Sequence, residues 1–272
     1  MGIAEDIAGD WDAALAALAW QLDCGVDEVT GEAPVNRYEV RAAQAAAPAP
    51  AAPRAVAAEA TPQPVAHKTD PVEVARGLAA KAASLEALRE AVHGFDLCDL
   101  KRGARNTVFS DGNPKARVLI LGEAPGRDED LEGRPFVGRA GQLLDRMFAA
   151  IGLSRQNPDT EKALYITNVL FWRPPGNRDP EPEEIAMMKP FIERHITLAD
   201  PEVVVTMGNT PLFALTGQRG IKRARGRWTE VHGRPMLPMF HPAYLLRQPG
   251  EKREAWADLL ALQAHLRKGN RG

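Results

Sequence analysis

Four short, largely apolar runs punctuate the second half of the chain, Val118–Leu121, Leu164–Val169, Val203–Met207 and Met236–Phe240. Their length and type are those of strands buried on both faces. Between them lie stretches with apolar residues at helical spacing, Gln142–Ile151, Pro182–Leu198 and Thr210–Leu215, and a last one follows at about Glu251–Arg267. Strands alternating with helices predict an α/β fold with a mostly parallel sheet and right-handed crossovers.

The first third is patterned differently. From Pro71 the spacing of Val74, Leu78, Ala82, Leu85, Leu88 and Val92 predicts one helix, with Asp70 as its N-cap and Gly94 at its end. Upstream, residues 31–68 lose all periodicity and collapse into Ala and Pro (AAQAAAPAPAAPRAVAAEATPQP), the composition of an extended, disordered linker. Residues 1–30 regain helical spacing at Ile7, Trp11, Ala14, Leu15, Leu18 and Leu22. Trp11 and Trp20 leave three readings open for this N-terminal helix: docking on the main domain, binding an unknown protein, or a weakly ordered tail. The expected organisation is therefore an N-terminal helix (1–30), a linker (31–68) and one folded domain (70–272).

Charge divides along the same line. Residues 1–100 carry 7 Lys/Arg against 16 Asp/Glu, and residues 101–272 carry 27 against 20. A basic domain behind an acidic appendage suits a polyanionic partner. No apolar run approaches the ~18 residues of a membrane span, so no membrane association is expected. The acids at the start argue against a signal peptide, and two distant cysteines, Cys24 and Cys98, fit reduced thiols of a cytoplasmic protein.

Ligands of open α/β sheets sit beyond the carboxyl ends of the strands. The first strand leads into Gly122-Glu123-Ala124-Pro125-Gly126, then a run of acids that includes Glu129, then Phe136. The second ends at Asn168, the third at Met207-Gly208-Asn209-Thr210, and the fourth at His241-Pro242-Ala243-Tyr244-Leu245-Leu246-Arg247. In a parallel sheet Glu123, Phe136, Asn168 and His241 can share one pocket. That set suits a flat, uncharged heterocycle. Phe136 stacks on the ring, Asn168 pairs with an edge showing a carbonyl beside an N–H, and loop amides with His241 hold an oxygen on which negative charge develops. No phosphate loop with Lys and Ser/Thr is present, which disfavours a nucleotide-binding protein.

In combination these stretches are specific. GEAPGRDEDLEGRPFVGRAGQLLDRM, YITNVLFWRPPGNRDP, VVVTMGNTPL and PMFHPAYLLR closely resemble the family 4 uracil-DNA glycosylases, over about Cys98 to Arg267. The resemblance implies a central four-stranded parallel sheet flanked by helices, and excision of uracil from DNA to give free uracil and an abasic site. By position, Phe136 matches the stacking aromatic, Asn168 the reader of the uracil edge, and His241 the support for the leaving anion. Glu123 and Glu129 match family acids, either of which could position water or offset the cationic sugar; Gly122 and Ala124 complete the substrate loop. A base must be flipped out to be reached, and Leu245, Leu246 and Arg247 fit a wedge that fills the gap. Arg173, Arg178 and the Lys222–Arg227 run, Arg225 among it, are candidates for phosphate contacts.

One family feature is missing. The family holds a [4Fe–4S] cluster on four cysteines, and the matching positions here read Phe95, Cys98, Trp172 and Met188. With one ligand out of four, the expectation is that there is no cluster, no metal and no other cofactor, and that packing of large apolar side chains fills the site. The loss leaves an alternative open: a protein that binds uracil-containing or abasic DNA with little turnover.

Overall fold

The computed structural model describes residues 70–269, with Leu15 alone before them. The expectations for residues 1–30 and 31–68 lie outside the described residues, Leu15 apart.

Two helices open the described part where the spacing predicts one. Helix α1 (Pro71–Lys81) starts as expected, with Asp70 Oδ1 accepting from Val72 N–H at 2.9 Å. It ends at Ala82, and α2 (Leu85–His93) begins after Ser84, whose Oγ accepts from Ala87 N–H at 3.2 Å and caps it. The break frees the carbonyl of Ala82, which accepts from Nε and Nη2 of Arg194 at 2.9 and 2.7 Å. Apolar spacing runs through the break because both helices bury a face in the same core, through Ala75 and Ala79 on one and Leu88 and Val92 on the other. Gly94 ends α2 as expected.

A short helix, α3 (Leu100–Gly103), precedes strands β1 (Asp111–Gly112) and β2 (Val118–Gly122). Helices α4 (Arg127–Glu132) and α5 (Arg139–Ala149) lead to β3 (Leu164–Asn168). Then come α6 (Pro182–Ala199), β4 (Val203–Met207), α7 (Asn209–Thr216) and α8 (Ile221–Ala224). Strands β5 (Thr229–Val231) and β6 (Arg234–Met239) are followed by α9 (Pro242–Arg247) and the final helix α10 (Lys252–Gly269).

The sheet order is β1-β3-β2-β4-β6-β5. Its middle four strands are parallel, the expected architecture, and every residue of β2, β3 and β4 is buried. Two short antiparallel strands extend it, β1 against β3 and β5 against β6. At two and three residues they are too short to show a period in sequence, and they close edges that would otherwise expose unpaired backbone. Alternation along β2 divides the core. Leu119 and Leu121 face a cluster with Leu88, Phe191 and Leu212 from α2, α6 and α7. Val118 and Ile120 face Leu144 and Phe148 of α5 and Leu259 and Leu262 of α10. With helices on both faces, the carboxyl ends of β2, β3, β4 and β6 are left open along one edge of the sheet. No helix among the described residues is long and apolar enough to cross a membrane.

Candidate active site

Loops from that edge enclose a cleft of about 1050 Å³, and Glu123, Phe136, Asn168 and His241 all line it. The four residues expected to converge are therefore brought together. Their closeness depends on Gly122, the last residue of β2, which is in register with Asn168 at the end of β3. A Cβ added at Gly122 would overlap Asn168 Oδ1 and the Phe136 ring, so a residue without a side chain lets both close over the strand end.

Asn168 is 2 % exposed, and its Oδ1 has no hydrogen-bond partner. A buried acceptor left unpaired costs roughly 1–3 kcal/mol, a cost that a ligand donating to it removes. Phe136 has φ +56°, in the left-handed region, where a bulky residue pays about 1–3 kcal/mol unless its surroundings hold it. Its ring stacks against that of His241, centroids 5.4 Å apart at 29°.

His241 caps α9. Its Nδ1 accepts from Ala243 N–H at 3.1 Å, so in the neutral ring the proton sits on Nε2. Enclosure pushes its pKa down to about 4, and Arg247 acts in the same direction. At neutral pH His241 is an uncharged N–H donor. At the end of β4, Gly208 (φ +98°) passes close beside it; a Cβ there would lie 3.3 Å from that of His241.

The two acids differ in what surrounds them. Glu123 is half-buried, and its Oε2 accepts from Thr210 Oγ1 at 2.6 Å. Enclosure raises its pKa above the usual carboxylate range; Thr210 and Arg247 oppose the rise, and Asp179 adds to it. Glu129 is occupied by backbone. Its Oε1 accepts from the N–H groups of Val137 and Gly138, both at 3.0 Å, and its Oε2 from Gly126 N–H at 3.1 Å. It ties the two ends of the loop around α4 together. Ala124 lines the cleft beside Glu123.

The cationic candidates separate. Arg247 is exposed and lines the cleft, and Arg178 lines it while donating to both Glu184 oxygens at 3.0 and 2.6 Å. Arg173 donates to Asn177 Oδ1 at 2.7 Å and is not among the cleft-lining residues. Arg225 turns away. It donates to both Asp258 oxygens, and to Glu254 at 2.6 Å, which ties α8 to α10. Lys222 and Arg223 of the same run do line the cleft, as does Arg219, which sequence reasoning did not single out. Thr210 was also missed as a partner of Glu123, although the Met207–Thr210 stretch lay at a strand end.

The expected wedge is corrected at one position. Leu245 is 1 % exposed and packs with Leu143, Phe240 and Ala255. Of the two adjacent leucines Leu245 turns into the core, and Leu246 is half-buried.

Away from the cleft, Phe95, Cys98, Trp172 and Met188 are each at most 1 % exposed and belong to one apolar cluster. Phe95 meets Phe191 edge to face at 5.4 Å, and Trp172 Nε1 donates to Thr107 Oγ1 at 3.1 Å. Burial pushes the Cys98 thiol up. Among the described residues no three His, Cys, Asp or Glu side chains are grouped so as to hold a metal ion.

Similarity to known proteins agrees with this geometry. Residues 109–260, more than half of the chain, match the Uracil DNA glycosylase superfamily. A type-4 uracil-DNA glycosylase from Archaeoglobus fulgidus is 40 % identical over 185 residues, covering 64 % of this chain and 89 % of that protein. The type-4 enzyme of Thermotoga maritima is 39 % identical over 166 residues, covering 60 % and 83 %. A type-5 uracil-DNA glycosylase from Thermus thermophilus is more distant, 30 % identical over 165 residues, covering 55 % and 75 %. The sheet edge, the pocket and these relationships together show that the chain belongs to the uracil-DNA glycosylase superfamily, alongside its type-4 members.

Proposed function

We propose that the protein hydrolyses the N-glycosidic bond of deoxyuridine flipped out of DNA, releasing uracil and leaving an abasic site. The observation that carries this is the unpaired, buried Oδ1 of Asn168, set beside a stacked aromatic ring and a neutral histidine. Uracil offers an N3–H donor next to the O4 acceptor, which complements a carboxamide. Cytosine presents the reverse at these atoms and would leave the pocket's buried groups mispaired.

In this reading Phe136 lies along the base and His241 Nε2–H donates to O2 as the bond breaks. Uracil departs as an anion, and a donor placed where that charge develops is worth about 3 kcal/mol. The neutral imidazole, with Nδ1 occupied by the Ala243 amide, still offers its Nε2–H to that charge. Glu123 is the acid that acts on water or on the sugar cation, because it lines the cleft with one of its oxygens engaged by the Thr210 hydroxyl, while Glu129 is committed to three loop amides. Arg178, Arg219, Lys222, Arg223 and Arg247 line the cleft where a DNA backbone approaches, and Leu246 with Arg247 fills the space left by the extruded base. No step runs through iron. One thiol among four buried positions does not fit a thiolate-held cluster, and we propose that the protein carries none.

A duplex containing one uracil tests the reading. Alkali-sensitive product should form with wild type, and Asn168→Ala should lower the single-turnover rate at least 100-fold, the equivalent of about 3 kcal/mol. The urea midpoint of that variant should be unchanged or raised, since an unpaired buried polar group is removed. Tight retention of the DNA with no strand scission after alkali would instead make the protein a uracil-DNA binder.

A further inference from the structure

Phe136 is held from outside the cleft. Arg155, in the connection between α5 and β3, has a side chain only 7 % exposed and is not among the cleft-lining residues. Its Nη1 donates to the carbonyl of Pro135 at 2.8 Å and its Nη2 to the carbonyl of Phe136 at 2.9 Å. The remaining donors meet two carboxylates, Nη1 to Asp111 at 3.0 Å and Nε to Asp145 at 2.9 Å. The charge is thereby balanced by two acids, and the flat fork is left to grip the carbonyls of Pro135 and of Phe136, whose backbone is left-handed.

We propose that Arg155 is a positioning residue for base recognition: it fixes the Pro135–Phe136 backbone turn that lays the Phe136 ring across the pocket. The proposal rests on the reading of Phe136 as the ring that stacks on uracil. The turn is gripped on other sides as well. Glu129 accepts from the N–H groups of Val137 and Gly138, the next two residues. Gly141, in the first turn of α5, lies so close that a Cβ there would overlap the Phe136 carbonyl. Arg155 supplies the missing half, because among the described residues it is the one that donates to the carbonyl side. Asp111 gives the edge strand β1 a purpose beyond closing the sheet: its pairing with Ile166 of β3 places the carboxylate that anchors Nη1. A lysine cannot substitute, since an ammonium is a point charge without the planar fork that reaches two carbonyls and two carboxylates together.

If Arg155 acts through Phe136, its effect on the base should vanish once that ring is gone. The test is a cycle of wild type, Arg155→Lys, Phe136→Ala and the double variant. Affinity for free uracil is measured by NMR titration, alongside urea midpoints and single-turnover excision. The expected result is that Arg155→Lys weakens uracil binding tenfold or more in the wild-type background and less than twofold in the Phe136→Ala background. Stability should drop in both, which marks the purely structural contribution. Equal losses of uracil affinity in the two backgrounds, or no loss in the first, would overturn the proposal while leaving the stacking role of Phe136 intact. Unchanged uracil affinity in Phe136→Ala alone would sink the stacking reading itself. Should the lysine variant not fold, Asp145→Asn takes its place, loosening Nε without touching either carbonyl, with a threefold or larger loss expected only when Phe136 is present.

Discussion

At the scale of single residues, ionisation separates groups that look alike in sequence. His241 and His195 both have lowered pKa values, about 4 and about 3, mainly because they are shut away from water. His195 is fully buried beneath the sheet, with its Nε2 2.9 Å from the phenol oxygen Oη of Tyr165. Both rings stay neutral in the native protein while the unfolded chain takes up protons below pH ~6.5. Their contribution to stability is therefore intact above that pH and is lost as the pH falls toward 4. Urea midpoints should be level from pH 7 to 8 and fall steadily from pH 6.5 to 4, and His195→Gln should flatten that fall. Glu123 responds in the opposite sense. The Thr210 hydroxyl is what holds its raised pKa down, so Thr210→Val should shift the acidic limb of the excision rate to higher pH. Single-turnover rates between pH 4 and 8 decide this, and an unmoved limb would mean that Glu123 ionisation does not govern the reaction.

At the scale of elements, the parallel strands and the residues at their ends were legible because buried strands and loop signals leave continuous marks in a sequence. Asn168 and His241 follow directly from strand ends. Other features depend on partners distant in the chain and leave no local mark. The division of the leading helix draws on Arg194, although the Ser84 cap is a local signal; the left-handed turn at Phe136 carries no glycine to announce it; and Leu245 and Leu246 differ only in which faces the core. The Phe95, Trp172 and Met188 positions show packing that a motif comparison registers only as missing cysteines. Trp172→Ala should cost about 3–5 kcal/mol, as for a large core aromatic, read from the shift in urea midpoint. Protein purified without added metal should contain no stoichiometric iron, and chelator should leave its melting temperature unchanged; a brown protein with four irons per chain would reject both the expectation and the packing argument.

At the scale of the whole molecule, an excess of arginine over the folded part does not translate into equal contributions to DNA affinity. Arg225 is committed to Asp258, itself 1 % exposed. Removing the guanidinium strands a buried carboxylate, which costs about 3–5 kcal/mol. Arg247 is exposed at the cleft. Arg247→Ala should reduce the slope of log affinity against log salt by about 1, measured by DNA titration between 50 and 200 mM salt. Arg225→Ala should leave that slope unchanged and lower the urea midpoint. Two arginines of one basic domain are thus placed differently, one exposed at the cleft and one paired with a buried carboxylate.

The unpaired acceptor of Asn168 reaches beyond selectivity. Whatever first satisfies it gains the energy of relieving a dry, frustrated site, and bond cleavage does not change the atoms that do so. Free uracil keeps the same N3–H, O4 and O2 after leaving the sugar, so on the proposed reading of Asn168 the cleaved base competes for the same acceptor, and added uracil should slow repeated cycles.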